Sequence, residues 1–360
     1  MAVRPHVLIV GAGIVGASIA WHLARAGARV TVTDAGAPGG VATRHSWAWI
    51  NASWGNPEPY FRLRVRSMQE WRSVGQEVPG IAVAWVGSLY WALPPDQLDA
   101  FAARHAAWGY DIRRVTRAEV QRLEPQLATP PAFALHAPAE GVVEPLAAAN
   151  ALLAAAEYLG TVVIGHNPVR ALTLSGGKVT GVETANGRMD ADEVVLAAGV
   201  GTASLAATAG LRVPMRAAPG LVVATRPHAR CLNGLLISPA VELRQTAAGR
   251  LLAIGDVDDA EAGGDGGAAA LLDTVRGMIA SGASLSAEYH AVAHRPMPLD
   301  GFPIVGRADG IGGLYTAVTH SGITLAPAIG RFVADEILAG RRDELLAPYG
   351  VERFLRTPPA

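Results

Sequence analysis

The chain has a single cysteine, Cys231, in 360 residues. That excludes an internal disulfide framework and fits a reducing compartment. Excess charge is also missing: the formal net charge is -1, so nothing attracts phosphate polymers and no nucleic-acid partner is expected. Long apolar runs are absent as well. The longest uncharged stretches, 194–211 and 310–330 among them, are broken by glycine and polar residues and read as strand, turn and helix rather than transmembrane segments. The first strand pattern begins almost at Met1, which leaves no room for a signal peptide, and a cytoplasmic location is expected. The histidines are scattered, and neither a Ser/His/Asp set nor a metal-ligand spacing emerges. Charged residues make up only 17% of the chain and hydrophobic ones 50%, which describes a globular protein with a sizeable core, long enough for two domains or one large discontinuous one.

What the chain does have is concentrated in residues 7–34. Val7, Leu8, Ile9 and Val10 form a short apolar run that reads as a buried parallel strand. Gly11, Gly13 and Gly16 follow as GxGxxG: one glycine for a tight turn, one for backbone approach to a pyrophosphate, one for close helix–strand packing. Ile14 and Val15 open the helix, and Val15, Ile19, Leu23 and Ala24 recur at helical spacing. A second strand at 29–33 ends at Asp34, an acid placed to bond an adenosine ribose. The acid disfavours a 2′-phosphate, so the residues point to FAD or NAD rather than NADP.

Beyond this unit, residues 36–60 read as a loop rich in glycine, proline and tryptophan. Helices are predicted at 61–74, 97–110, 116–123 and 144–159, the third capped by Thr116 with Glu119. Residues 81–93 read as a hairpin around Gly87 and Ser88, and 169–174 with 178–184 as a second hairpin through Gly176 and Gly177. Strands are predicted at 161–164, 192–198, 220–225, 234–238, 241–245 and 250–254, then a soft loop at 258–270. The chain closes with a strand LYTAVT, the turn HSG and a helix from about Thr324 to Ala339, whose first amides suit an electron-rich group.

In this order the chain resembles the FAD-dependent D-amino acid oxidase family in its wide sense, which includes glycine oxidase, sarcosine oxidase and D-amino acid dehydrogenase. The resemblance rests on GAGIVGASIAWHLARAG with Asp34, GVVEP at 141–145, EVVLAAG at 193–199, RPMPLDGFPIVGR from Arg295, and HSGITLAPAIG from His320. It implies an α/β fold: a Rossmann-like FAD-binding domain from 1–80, 140–215 and 291–360, with a discontinuous mixed α+β substrate domain from 81–139 and 216–290. With one dinucleotide fingerprint only, it favours a tightly held flavin over an exchanged nicotinamide.

The resemblance also assigns residues. Ala42, Thr43 and Arg44 fall in the segment that contacts pyrophosphate and flavin, and His45 and Ser46 continue it. Val169 falls where backbone meets adenine, and Ala198 and Gly199 where a strand stops beside the cofactor. His320, Ser321, Gly322, Ile323 and Thr324 match the turn set against the flavin pyrimidine edge, where aligned amides stabilise negative charge near N1 and O2 of reduced flavin. Arg295 matches an arginine that grips a substrate carboxylate through its forked guanidinium, the alternative being a structural pair with Asp300. The arginine that glycine oxidase-like members carry in the HSG turn is missing, which counts against an amino acid carboxylate at that point. His45 lies near a histidine tether of dimethylglycine dehydrogenase-like members, although an ordinary hydrogen-bonded histidine is preferred. Trp47, Trp49 and Trp54 offer an apolar wall or an amine cage, with Trp71 read as core.

The expected activity is oxidation of the C–N bond of a small amine or amino acid by hydride transfer to flavin, with oxygen or another electron acceptor. The alternatives are a dehydrogenase passing electrons to a quinone or carrier protein, and a flavin-binding subunit inactive without a partner subunit.

Overall fold

The computed structural model describes residues 4–53, 55–256 and 265–354. Its first layer is a six-stranded sheet in the spatial order Ile304–Arg307, Leu314–Val318, Glu193–Leu196, His6–Val10, Arg29–Thr33, Val162–Ile164. All neighbours are parallel except the first two, which form an antiparallel pair. The strand His6–Val10 is central and almost wholly buried, which is why it reads as an unbroken apolar run. The chain leaves it toward Arg29–Thr33 on one side, and Glu193–Leu196 flanks it on the other. That reversal opens a crevice at the carboxyl ends of the strands.

Two helices close one face. Helix Ile14–Arg25 sits against the sheet because Gly16 has no side chain: a Cβ there would lie 1.9 Å from the Gly11 carbonyl oxygen. Helix Gly322–Ala339 then packs on the first helix through Gly330, where a Cβ would come within 2.3 Å of Ser18 Oγ. Helix Glu58–Glu77 crosses the last one, and its Trp71 Nε1 donates to the Ile323 carbonyl at 2.8 Å. Trp71 is fully buried, as the sequence led one to expect.

A second, eight-stranded sheet runs Ala287–His294, Pro219–Thr225, Leu251–Asp256, Glu242–Gln245, Leu235–Ile237, Ser88–Tyr90, Phe133–Ala137, Arg113–Thr116. It is antiparallel except between Leu235–Ile237 and Ser88–Tyr90. Small sheets complete the molecule: the hairpin Val169–Ser175 and Lys178–Thr184 with Gly187–Asp190, and Trp49–Ile50 with Gly141–Val143 and Val83–Ala84. Thr116 caps Arg117–Leu123 in a complete capping box with Glu119.

Three local expectations change. Residues 81–93 do not pair with each other. Val83–Ala84 joins Gly141–Val143, while Ser88–Tyr90 crosses into the large sheet. Gly87 turns the chain at a φ of 74°, and Ser88–Tyr90 then finds its ladder partners in Phe133–Ala137 and Leu235–Ile237 rather than in Val83–Ala84. The predicted soft loop at 258–270 falls partly outside the described residues, but from Asp265 it is the helix Asp265–Met278. Its Ala268, Leu271, Leu272 and Val275 bury against the large sheet at helical spacing, a pattern its leading glycines obscure. The strand Ala287–His294 had no sequence signal, since most of its side chains stay exposed at the sheet edge.

One buried group links this packing to pH. Burial, then the nearby Arg25 and Arg331 guanidinium groups, push the His22 imidazole from 6.5 down to about 3. The neutral ring is what packs, so its contribution is complete above about pH 6.5 and is lost as the pH falls toward 3. The unfolding free energy of the wild-type chain, measured by urea titration, should therefore fall between pH 6.5 and 5 more steeply than that of His22→Leu, by up to about 1.4 kcal/mol per pH unit. Parallel curves would show that His22 is not the source.

Candidate active site

The crevice is built from the glycine turn outward. Gly11 adopts a φ of 110°, and a Cβ there would meet the Ala197 carbonyl oxygen at 2.4 Å and Ala198 Cα at 3.0 Å. The turn therefore lies directly against the end of Glu193–Leu196, beside Ala198 and Gly199. Helix Ile14–Arg25 starts after Gly13 with no side-chain cap and no acid in its first turn. The Ile14 N–H goes to Thr43 Oγ1 at 3.0 Å. Gly40 presses on Gly13, where a Cβ on Gly40 would be 2.8 Å from Gly13 Cα. A helix start whose own cap residue is a glycine, behind side-chain-free backbone, suits a pyrophosphate.

Asp34 holds the turn from the other side. Its Oδ2 accepts from the Ala12 N–H at 2.7 Å and its Oδ1 from the Gly36 N–H at 2.8 Å. The segment before Val169 lies next to it, the Asn167 N–H donating to the Asp34 carbonyl at 2.8 Å. Gly322 is 3.5 Å, by its ideal Cβ, from Val15 Cγ2 and 3.8 Å from Ile14 Cγ2. The N-termini of the two long helices thus converge.

Beyond this crevice opens a cavity of about 720 Å³, within the usual size of ligand pockets, roughly 300–1,000 Å³. Ala42, His45, Ser46, Trp47 and Trp49 line it from the loop, Arg295 from one wall, and His320, Ser321, Gly322, Ile323 and Thr324 from the turn into the last helix. Arg44 is exposed and outside this lining. Trp47 and Trp49 meet edge to face at 5.6 Å, while Trp54 lies outside the described residues. Arg295 Nη2 donates to the Pro219 carbonyl at 3.1 Å. Its guanidinium lies over Gly220, where a Cβ would be 2.8 Å from Nη2. Asp300, weighed above as its partner, pairs with Arg353, Nε to Oδ2 at 2.8 Å.

Several buried polar atoms of these lining residues have no hydrogen-bond partner among the described residues: His45 Nδ1, Trp47 Nε1, Asn56 Nδ2 and the Tyr60 hydroxyl. Burial, then the neighbouring Arg44, hold the His45 imidazole below the usual histidine value. Unsatisfied donors and acceptors at this density around one cavity fit a polar, planar group such as the flavin ring.

The sequence reading named Ser321 and Thr324 but missed Arg64, Asn51 and Glu140, which fix this wall with them. Arg64 is only 3% exposed. It donates from Nε to the Asn51 carbonyl at 2.9 Å, from Nη2 to Asn51 Oδ1 at 2.6 Å and from Nη1 to Ser321 Oγ at 2.6 Å. Thr324 Oγ1 donates to the Trp49 carbonyl at 2.9 Å and accepts from the Asn51 N–H at 3.4 Å. On the far side of the same segment, the fully buried Glu140 carboxylate accepts from Trp49 Nε1, Ser53 Oγ, Ser88 Oγ and the Tyr110 hydroxyl at 2.6–2.8 Å. Burial pushes its carboxyl above the ordinary value, against the pull of those four donors. A signal for Arg64 was available: it shares the apolar helix face of Tyr60, Ser67, Met68 and Trp71.

Three comparisons place this geometry among known proteins. The pattern of the DAO family, described as FAD dependent oxidoreductase, matches residues 6–336. One of the subunits of opine oxidase from Agrobacterium tumefaciens (strain Ach5) is 27% identical over 96% of this chain and 96% of its own length. Glycine oxidase of Geobacillus kaustophilus (strain HTA426) is 27% identical over 99% and 98%. The crystal structure of iminodiacetate oxidase from Chelativorans sp. BNC1 superposes with a TM-score of 0.85 at 25% identity, covering 96% of this chain and 98% of that one.

Replacing Glu140 by Ala strands its buried donors, a loss of about 3–5 kcal/mol, whereas Glu140→Gln should cost less than half as much. Equilibrium urea unfolding measures both. Near-equal, small losses would mean that the carboxylate is not the anchor of the 49–53 segment.

Proposed function

The chain belongs to the DAO family of FAD-dependent oxidoreductases, and from that premise we propose that it oxidises the C–N bond of a small amine or amino acid to an imine that water hydrolyses. The observation that carries this reading is the cavity at the converging helix N-termini, with one polar atom each of His45, Trp47, Asn56 and Tyr60 lacking a hydrogen bond among the described residues. Relatives named for glycine and iminodiacetate oxidation support it, since both compounds carry an amine nitrogen next to a carboxylate-bearing carbon.

FAD is the cofactor, and when bound it supplies the two-electron acceptor that takes a hydride from the carbon beside the amine nitrogen. Gly11, Gly13 and Ile14 would let its pyrophosphate approach the turn, and the first-turn amides of Val15 and Gly16 with the helix dipole would hold it. Asp34 would take the ribose, with Val169 by the adenine and Ala198 and Gly199 along the floor. Ala42, Thr43, Arg44, His45 and Ser46 would cover the middle, with Thr43 also steadying the Ile14 N–H. Amides from Ser321 to Thr324 would meet the pyrimidine edge beside His320, where aligned donors favour negative charge. The chain needs no base if the substrate binds as the neutral amine, because the nitrogen lone pair drives hydride departure. Orientation is then the protein's main contribution. Arg295 lies in the cavity wall where it can orient a substrate's polar end.

The likeness to an opine oxidase subunit supports a second reading, in which the chain works as one component of a larger oxidase. Anaerobic addition of glycine, N-methylglycine, iminodiacetate, D-amino acids and simple amines to the purified holoprotein separates the two. Bleaching of the flavin absorbance by one class, with release of the matching carbonyl product, is the expected outcome. A flavin that no amine bleaches would overturn the reading for the isolated chain.

A further inference from the structure

Arg64 is a permanent cation in a place that does not welcome one. It is 3% exposed, and among the described residues its hydrogen bonds go only to neutral acceptors on Asn51 and Ser321. The Tyr60 ring under its guanidinium, 5.3 Å from the centroid, offers a further weak attraction. The buried carboxylate on the other side of the 49–53 segment, Glu140, is committed to Trp49, Ser53, Ser88 and Tyr110. Ser321 is also the N-cap of the 18-residue final helix, so the positive end of that helix faces the same spot. A buried guanidinium beside a helix N-terminus is costly unless an anion joins it.

The hydrogen-bond inventory says where the anion goes. A guanidinium has five N–H donors, and Arg64 spends one from Nε, one from Nη1 and one from Nη2. One donor remains on each terminal nitrogen, and the residue lines the cavity. Two donors on adjacent nitrogens match the two oxygens of a carboxylate.

We propose that Arg64 is the specificity-determining carboxylate anchor of this cavity, so that the substrate is an amine bearing a carboxylate, gripped from the helix Glu58–Glu77 rather than from the turn 320–324. This rests on the amine-oxidation reading above. It answers the missing arginine of that turn: the positive charge is delivered to Ser321 from a neighbouring helix.

The test uses the holoprotein with acetate as probe and acetamide, its neutral isostere, as control, each followed by perturbation of the flavin spectrum. Acetate should bind the wild type and acetamide should not. Arg64→Ala and Arg64→Gln should weaken acetate about 10- to 100-fold, the latter keeping amide contacts to Asn51 and Ser321 should the former lose its flavin. Arg64→Lys should recover part of the affinity, as a point charge without the fork. Either neutral variant that retains flavin and binds acetate like the wild type overturns the proposal, as does a loss confined to Arg295→Ala. A lowered flavin midpoint potential with unchanged acetate affinity would assign the cation to the cofactor instead, and equally overturn it. Bleaching of the wild type by uncharged amines, without acetate binding, would refute this anchor and leave amine oxidation standing. Acetate binding lost in the variants, with no amine bleaching the wild type, would uphold the anchor and refute the oxidation reading.

Discussion

The segment from Trp49 to Ser53 is held between two buried charges of opposite sign, and the cavity depends on that arrangement. Glu140 gathers Trp49, Ser53, Ser88 and Tyr110 on one side. Arg64 takes Asn51 and Ser321 on the other. Neither charge is paired with the other, and each draws part of its hydrogen bonding from this same short stretch of chain. Because unsatisfied buried polar groups cost more than satisfied ones gain, this stretch has little freedom to be anywhere else. It ties the small sheet with Gly141–Val143, the large-sheet strand Ser88–Tyr90 and the start of the last helix together at one point.

Close backbone approach provides the second constraint. Gly16 brings the first helix onto the sheet, and Gly330 brings the last helix onto the first. Their N-termini then meet at Gly322, Ile14 and Val15. Two helix dipoles aimed at one region favour negative charge there, which suits an oxidoreductase whose cofactor carries a pyrophosphate at its middle and accepts electrons at one end. The large sheet supplies a mostly apolar wall opposite, through Leu221, Val222, Ile237 and Ile254. Arg295 sits at the seam where the strand Ala287–His294 ends.

By itself the sequence determined the nucleotide unit and most regular elements. Periodicity is local there: His6–Val10, the three glycines and Asp34 follow one another within a single βαβ unit, and the helices keep apolar faces at 3.6-residue spacing. The Thr116 capping box and the Gly176–Gly177 hairpin are equally local. Only tertiary structure decided that Val83–Ala84 and Ser88–Tyr90 belong to different sheets, because their partners lie far along the chain, at 133–137, 141–143 and 235–237. Only tertiary structure brought Arg64 to Ser321, 257 residues away, and paired Asp300 with Arg353. An arginine in a helix reads as solvated, and an acid reads as the partner of its nearest base. Burial and long-range pairing overrule both readings, since desolvation is set by whatever packs on a side chain and no single stretch of sequence contains that information.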